Sequence, residues 1–126
     1  MKRLEIDVNR NDIRMRDNLR RFKAGIFQAL ANPTRIAIVE LLRDDGEVSV
    51  GTIHDKLDLE QSNASQHLAV LRSKNIVVAR KEGTQVFYSL RDPVIGTVLD
   101  LMREYFNAHL EESLQLLKEM RSDDRP

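Results

Sequence analysis

The chemistry-bearing part of this sequence lies between Leu59 and Lys74. Gln61, Ser62, Asn63, Ser65, Gln66 and His67 crowd together there, with Arg72 and Lys74 following. At helical spacing Ala64, Leu68 and Leu71 form one apolar stripe, which leaves the amides and hydroxyls on the opposite, early face. Short polar side chains in the first turns of a helix can hydrogen-bond base edges in the major groove of DNA, and Arg72 and Lys74 can meet phosphates. The alternative at this point is an amphipathic helix whose outer face is only solvated, although such a face more often carries Glu and Lys. Catalytic chemistry has less to draw on. The chain has three His and no Cys, and no Ser-His-Asp grouping, Gly-rich phosphate loop or paired carboxylate string, so no enzyme is expected.

Cysteine being absent, disulfides, thiol switches and thiolate metal sites are excluded together. The 126 residues are enough for one domain with a core. No apolar run approaches the roughly 18 residues that cross a bilayer, and no apolar segment follows Lys2 and Arg3, so neither export nor membrane association is expected and the cytoplasm is the predicted location. Net charge is zero, which argues against an indiscriminate nucleic-acid binder, but the charge is segregated. Residues 1–25 hold eight Lys and Arg against four Asp and Glu, and residues 62–91 five against one. Residues 26–61 hold three against seven, and residues 92–126 four against eight. Positive charge therefore gathers at the N-terminus and around the polar stretch.

These residues need elements to hold them. Residues 1–17 form a charged arm in which a helix is predicted from about Asn11. From Leu19 the apolar positions Leu19, Phe22, Ile26, Phe27 and Leu30 recur at helical steps. Asn32 followed by Pro33 is a cap-plus-proline signal that opens a second helix to Arg43, with Ile36, Val39, Leu41 and Leu42 as its buried side. Residues 47–50 are a short extended piece. Ser49 can cap a third helix from Val50 to Leu57, and a brief turn at residues 58–60 leads into the polar helix, which Asn75 closes. Two short helices joined this way make a helix-turn-helix whose second member reads DNA. Residues 76–81 and 85–90, rich in β-branched and aromatic side chains around Glu82, Gly83 and Thr84, read as a basic β-hairpin, a wing.

Asp92 and Pro93 start a last helix, predicted to reach Met120. Its apolar residues, Val98, Met102, Tyr105, Phe106 and Leu110 among them, exceed what a small domain can seat, and nearly 30 residues span roughly 40 Å. A symmetric dimer that pairs this helix, together with Leu19, Phe22 and Phe27 of the first, accounts for the surplus. The fold expected is mainly α with a small β-hairpin, a winged helix-turn-helix dimerising through its first and last helices. Residues 18–120 form the domain, and residues 121–126 a disordered tail.

Four strings carry a family resemblance: Phe27-Gln28-Ala29-Leu30-Ala31-Asn32-Pro33-Thr34-Arg35-Ile36, Val39-Glu40-Leu41-Leu42, the polar helix from Gln61 to Arg72, and Val86-Phe87-Tyr88-Ser89-Leu90. Over residues 22–120 the chain resembles the ArsR/SmtB family of winged helix-turn-helix repressors. The resemblance implies a homodimer that binds an imperfect palindrome in a promoter, as double-stranded DNA, and leaves it when an effector arrives. It places Ser62, Asn63, Ser65, Gln66 and His67 on base-reading positions, and Arg80, Lys81 and Thr84 on the wing. A winged helix used only as a protein-interaction module is the rival reading, favoured by the zero net charge and the acidic last helix.

The departures from the family bear on the effector. Where its soft-metal sensors carry a Cys-x-Cys string, this chain has Ser49 and Gly51, so that site is excluded, as are sensors that need a cysteine pair. A second family site lies between the paired last helices. His109 and Glu112 match its second half, but Gly96 and Val98 stand where the first half would be and cannot ligate. Asp100 and Glu104 are further oxygen donors on that helix, which leaves a non-thiolate divalent metal as a weak candidate beside the plainer reading of a solvated His and Glu pair. No cofactor is otherwise implied. His54 is expected at the surface.

Overall fold

The structure, a computed structural model, describes residues 2–123. The elements are α1 (Lys2–Leu30), α2 (Pro33–Asp45), β1 (Val48–Ser49), α3 (Val50–Lys56), α4 (Gln61–Ser73), β2 (Val77–Glu82), β3 (Gln85–Leu90) and α5 (Val94–Asp123). They fall into two compact units, one running to Asp92 and one beginning at Pro93. The chain is thus mainly helical with a small antiparallel sheet, a winged helix-turn-helix.

Local chemistry sets most boundaries in the first unit. Asn32, in extended backbone, accepts hydrogen bonds on Oδ1 from the amides of Thr34 (2.9 Å) and Arg35 (3.1 Å), and Pro33 fills the first helical position, where no amide hydrogen is needed. Ser49 caps α3 by accepting from the Thr52 amide at 3.2 Å. Both helices of the helix-turn-helix end by one device. Asp58 (φ 53) and Asn75 (φ 58) take left-handed backbone, and the residues after them donate back to the last turn, Leu59 N to His54 O at 2.9 Å and Ile76 N to Leu71 O at 3.0 Å. Short polar side chains tolerate that conformation better than most others.

The core lies where α2, α3, α4 and β2 meet. Ile38, Val39, Leu42, Ile53, Leu68, Leu71 and Val77 are all closed off from solvent. The sheet runs β1-β3-β2, with Val48 opposite Tyr88 and Ser49 opposite Phe87 on one side of β3, and pairs from Val77–Leu90 to Glu82–Gln85 on the other. Gly83, at φ 61, begins the two-residue hairpin turn, where a type II′ turn asks for glycine.

Three sequence expectations change. α1 starts at Lys2 rather than near Asn11, and past that point its charges pair one turn apart, Asp12 with Arg16 at 3.0 Å and Asp17 with Arg20 at 3.1 Å. On α2 the buried stripe is Ile38, Val39 and Leu42, while Ile36 and Leu41 are half-buried, since at about 100° per residue they fall on the two flanks of the face those three share. The tail expected from Arg121 begins as helix: α5 reaches Asp123, Arg121 complements its C-terminal dipole, and the Ser122 hydroxyl donates to the Lys118 carbonyl at 3.1 Å. Residues 124–126 lie outside the described residues. Among the described residues no helix is long and apolar enough to cross a membrane.

Candidate nucleic-acid interface

α4 is fixed from beneath by Ala64, Leu68 and Leu71, each fully buried. Helical geometry then turns Ser62, Asn63, Ser65 and Gln66 outward, and all four are exposed. In the last turn of the helix and at its C-cap, Arg72 and Lys74 are exposed cations with no carboxylate partner among the described residues. Lys74 lies over Gly25 of α1, its ammonium end 3.3 Å from where a Cβ at that glycine would stand.

The wing approaches the same end of α4. Ser49, Gln61, Ser65, Thr84, Gln85 and Tyr88, with Val50 and Val86, share the uncharged lining of a cleft of about 360 Å³ between the first turn of α4 and the hairpin turn. A convex polar helix beside a hairpin, with hydroxyls and amides in the gap, suits a polyanion whose groove admits the helix and whose backbone runs past the wing. Lys81 and Thr84 are exposed at that hairpin.

Two residues of the sequence-based set have partners inside the protein. Arg80 forks onto the carboxylate of Glu47 (Nε to Oε2 3.1 Å), reaches Glu82 at 2.8 Å and stacks its guanidinium carbon 4.9 Å over the Phe87 ring. Its hydrogen bonds hold the Glu47 carboxyl below the ordinary glutamate range, and the same contacts make Arg80 cling to its proton more tightly than usual. Arg80 thus ties the hairpin to the chain just ahead of β1. His67 is half-buried, its Nδ1 lying 3.3 Å from Nη1 of Arg35. Sequence reasoning missed Glu47, Arg35 and the cleft residues Gln85 and Tyr88. The pairs Arg80 with Glu47 and Arg35 with His67 join residues more than 30 positions apart, which no local pattern announces.

The expected dimerisation residues divide cleanly. Leu19, Phe22, Phe27, Met102, Tyr105, Phe106 and Leu110 are exposed, by between 41% and 65%, and Val98 is half-buried. On α5, Met102, Phe106 and Leu110 stand four residues apart on one face. Tyr105 packs edge-on against Phe106, ring centroids 5.9 Å apart, and lies parallel to the His109 ring at 6.3 Å. Among the described residues of one chain no three His, Cys, Asp or Glu side chains come together to hold a metal, Asp100, Glu104, His109 and Glu112 included. Ser49 serves as a helix cap, its hydroxyl also donating to Thr52 Oγ1 at 2.9 Å. His54 pairs with its neighbour Asp55 at 3.1 Å.

Residues 30–78 match the family described as a helix-turn-helix domain. An uncharacterised helix-turn-helix-type transcriptional regulator of Mycobacterium tuberculosis is 35% identical over 104 residues, covering 82% of this chain and 91% of that protein. The arsenical resistance operon repressor of Escherichia coli is 30% identical over 95 residues, covering 75% of this chain and 81% of its own length. In structure, the homodimeric winged helix-turn-helix DNA-binding domain of a possible ArsR-family transcriptional regulator from Mycobacterium bovis superposes with a TM-score of 0.70 at 31% identity, over 77% of this chain and 89% of that one.

Proposed function

The chain belongs to the ArsR/SmtB family of winged helix-turn-helix transcriptional regulators, and from that premise we propose that it is a homodimeric repressor that reads a palindromic promoter operator through α4 and is released by a signal needing no thiol. The observation that carries this reading is the outer face of α4, where Ser62, Asn63, Ser65 and Gln66 stand exposed on a helix whose other side is fully buried. Amides pair with adenine edges and hydroxyls with several bases, so these four residues read sequence, while Arg72, Lys74 and Lys81 neutralise phosphate and Thr84 meets the backbone from the wing. A dimer sets two such helices about 34 Å apart, one turn of DNA, and the exposed apolar faces of α1 and α5 are the surface for that pairing. The Mycobacterium bovis relative's being a homodimeric DNA-binding domain supports the same arrangement. A regulator of this kind has no catalytic role and works in the cytoplasm, where the operator is.

The test is fluorescence anisotropy with DNA from upstream of the protein's own coding sequence. Asn63→Ala with Gln66→Ala removes two base-edge contacts at about 1–3 kcal/mol each, a loss of at least tenfold. Unchanged sequence-selective affinity in the double variant overturns the reading face. Binding through several phosphates weakens steeply as salt rises, whereas a protein-interaction module holds no DNA at any salt concentration.

A further inference from the structure

The geometry points to Arg35 as the residue that positions the reading helix, acting through His67; the inference rests on α4 being that helix. Arg35 is held at both ends. Its amide is fixed by the Asn32 cap at 3.1 Å, and its guanidinium donates from Nε to the carbonyl of Ala29 and from Nη2 to that of Gln28 at 3.4 Å. Those are carbonyls of the last turn of α1, which leaves acceptors unsatisfied at a helix's negative end, and α1 has no basic residue of its own there. Arg35 supplies the missing cation from the next helix. Among the described residues no carboxylate pairs with it, and these carbonyls and His67 are the guanidinium's hydrogen-bond partners within the protein.

With two nitrogens engaged, the planar fork leaves Nη1 aimed in a fixed direction, and what it meets is Nδ1 of His67, 3.3 Å away. A guanidinium only donates, so Nδ1 is the acceptor and the ring hydrogen sits on Nε2. His67 lies one turn after Asn63 and directly after Gln66. On a helix already seated by Ala64, Leu68 and Leu71, the contact therefore adds a polar restraint on rotation at the level of the base-reading side chains. It does so from the junction of α1 and α2, so a shift in the end of α1 reaches the reading face through one side chain. His67 in this arrangement faces the protein and acts as a positioning residue.

Two measurements test it. In DNA-free protein, nitrogen-resolved imidazole spectra should show His67 with Nδ1 bare and Nε2 bearing hydrogen, and Arg35→Lys should move the amide signals of residues 61–67 as His67→Leu does. In operator titrations, His67→Leu and Arg35→Lys should each weaken binding about tenfold, the scale of one hydrogen bond to a charged group. The double variant should be no weaker than either single one, because both remove the same contact. His67→Asn, whose amide oxygen takes the place of Nδ1, should restore affinity to within about twofold. Additive losses, or His67→Asn as weak as His67→Leu, mean that His67 touches DNA by itself and overturn the proposal. Should Arg35→Lys fail to fold, the comparison of Asn and Leu at 67 decides alone. A wild type that shows the expected imidazole signature but binds no upstream DNA brings down the operator reading and leaves the positioning contact standing.

Discussion

Two kinds of helix make up this chain. α2, α3 and α4 are short, α2 and α3 open on side-chain caps, all three end at a left-handed residue, and Ile38, Leu42, Ile53, Leu68 and Leu71 are exposed by 2% or less. α1 and α5, with 29 and 30 residues, leave Phe22, Phe27, Tyr105, Phe106 and Leu110 exposed by between 56% and 65%. The short helices complete their burial within one chain. The long ones carry an apolar face that one chain leaves in water, an arrangement whose free energy improves only when another surface covers it. The difference separates two stabilities: one belonging to the single chain, the other, in the proposed dimer, depending on concentration.

Substitutions that strike one side and spare the other sharpen this contrast. The largest effect is expected from Leu68→Ala, which empties part of a closed core beneath the reading face and should cost about 2–5 kcal/mol in urea unfolding, by the same amount at every protein concentration. A cost that varied with concentration would show that α4 shares its core with the partner. Next comes Phe106→Ala on α5. It should weaken the dimer by about 2 kcal/mol, roughly thirtyfold in dissociation constant by sedimentation, with the far-ultraviolet helix signal of the first unit kept. An unchanged dissociation constant would move the interface off α5. The smallest effect belongs to Glu47. Hydrogen bonds from Arg80 lower its carboxyl below the ordinary 4.5, so the unfolded chain takes up that proton first. The pairing then contributes above the ordinary value and is lost as pH falls below it through the lowered one. Thermal melting from about pH 5 to about pH 3 should show wild type losing more stability than Glu47→Gln, the difference confined to that window; parallel curves would mean that Arg80 holds the hairpin without Glu47.

Much of the fold was legible because its punctuation is local. Asn32 with Pro33, Ser49, Gly83 and Asn75 each act on residues within a few positions, and the elements they bound stand close to where the sequence placed them. The outward set Ser62, Asn63, Ser65 and Gln66 followed from helical period alone. What stayed hidden depends on distance along the chain. His67 sits beside those four in sequence, yet Arg35 takes its ring nitrogen, and Arg80, which reads as a free wing cation, is taken by Glu47. The start of α1 was misplaced for another reason: a charged stretch without apolar period looks like a loose arm, although a solvated helix needs no apolar period either.

The two-residue strand β1 has a consequence in the topology of the chain. By pairing Val48 with Tyr88 and Ser49 with Phe87 it closes a ring of backbone that contains α3, α4 and the first arm of the hairpin. Closing such a loop from an open chain costs on the order of 3 kcal/mol in entropy, and little of that cost remains once the enclosed helices have already brought the ends near. The β1–β3 pairing therefore costs least entropy when it forms after the helix-turn-helix has assembled. It is also a clasp: while it holds, the hairpin stays tied to the chain at the start of α3.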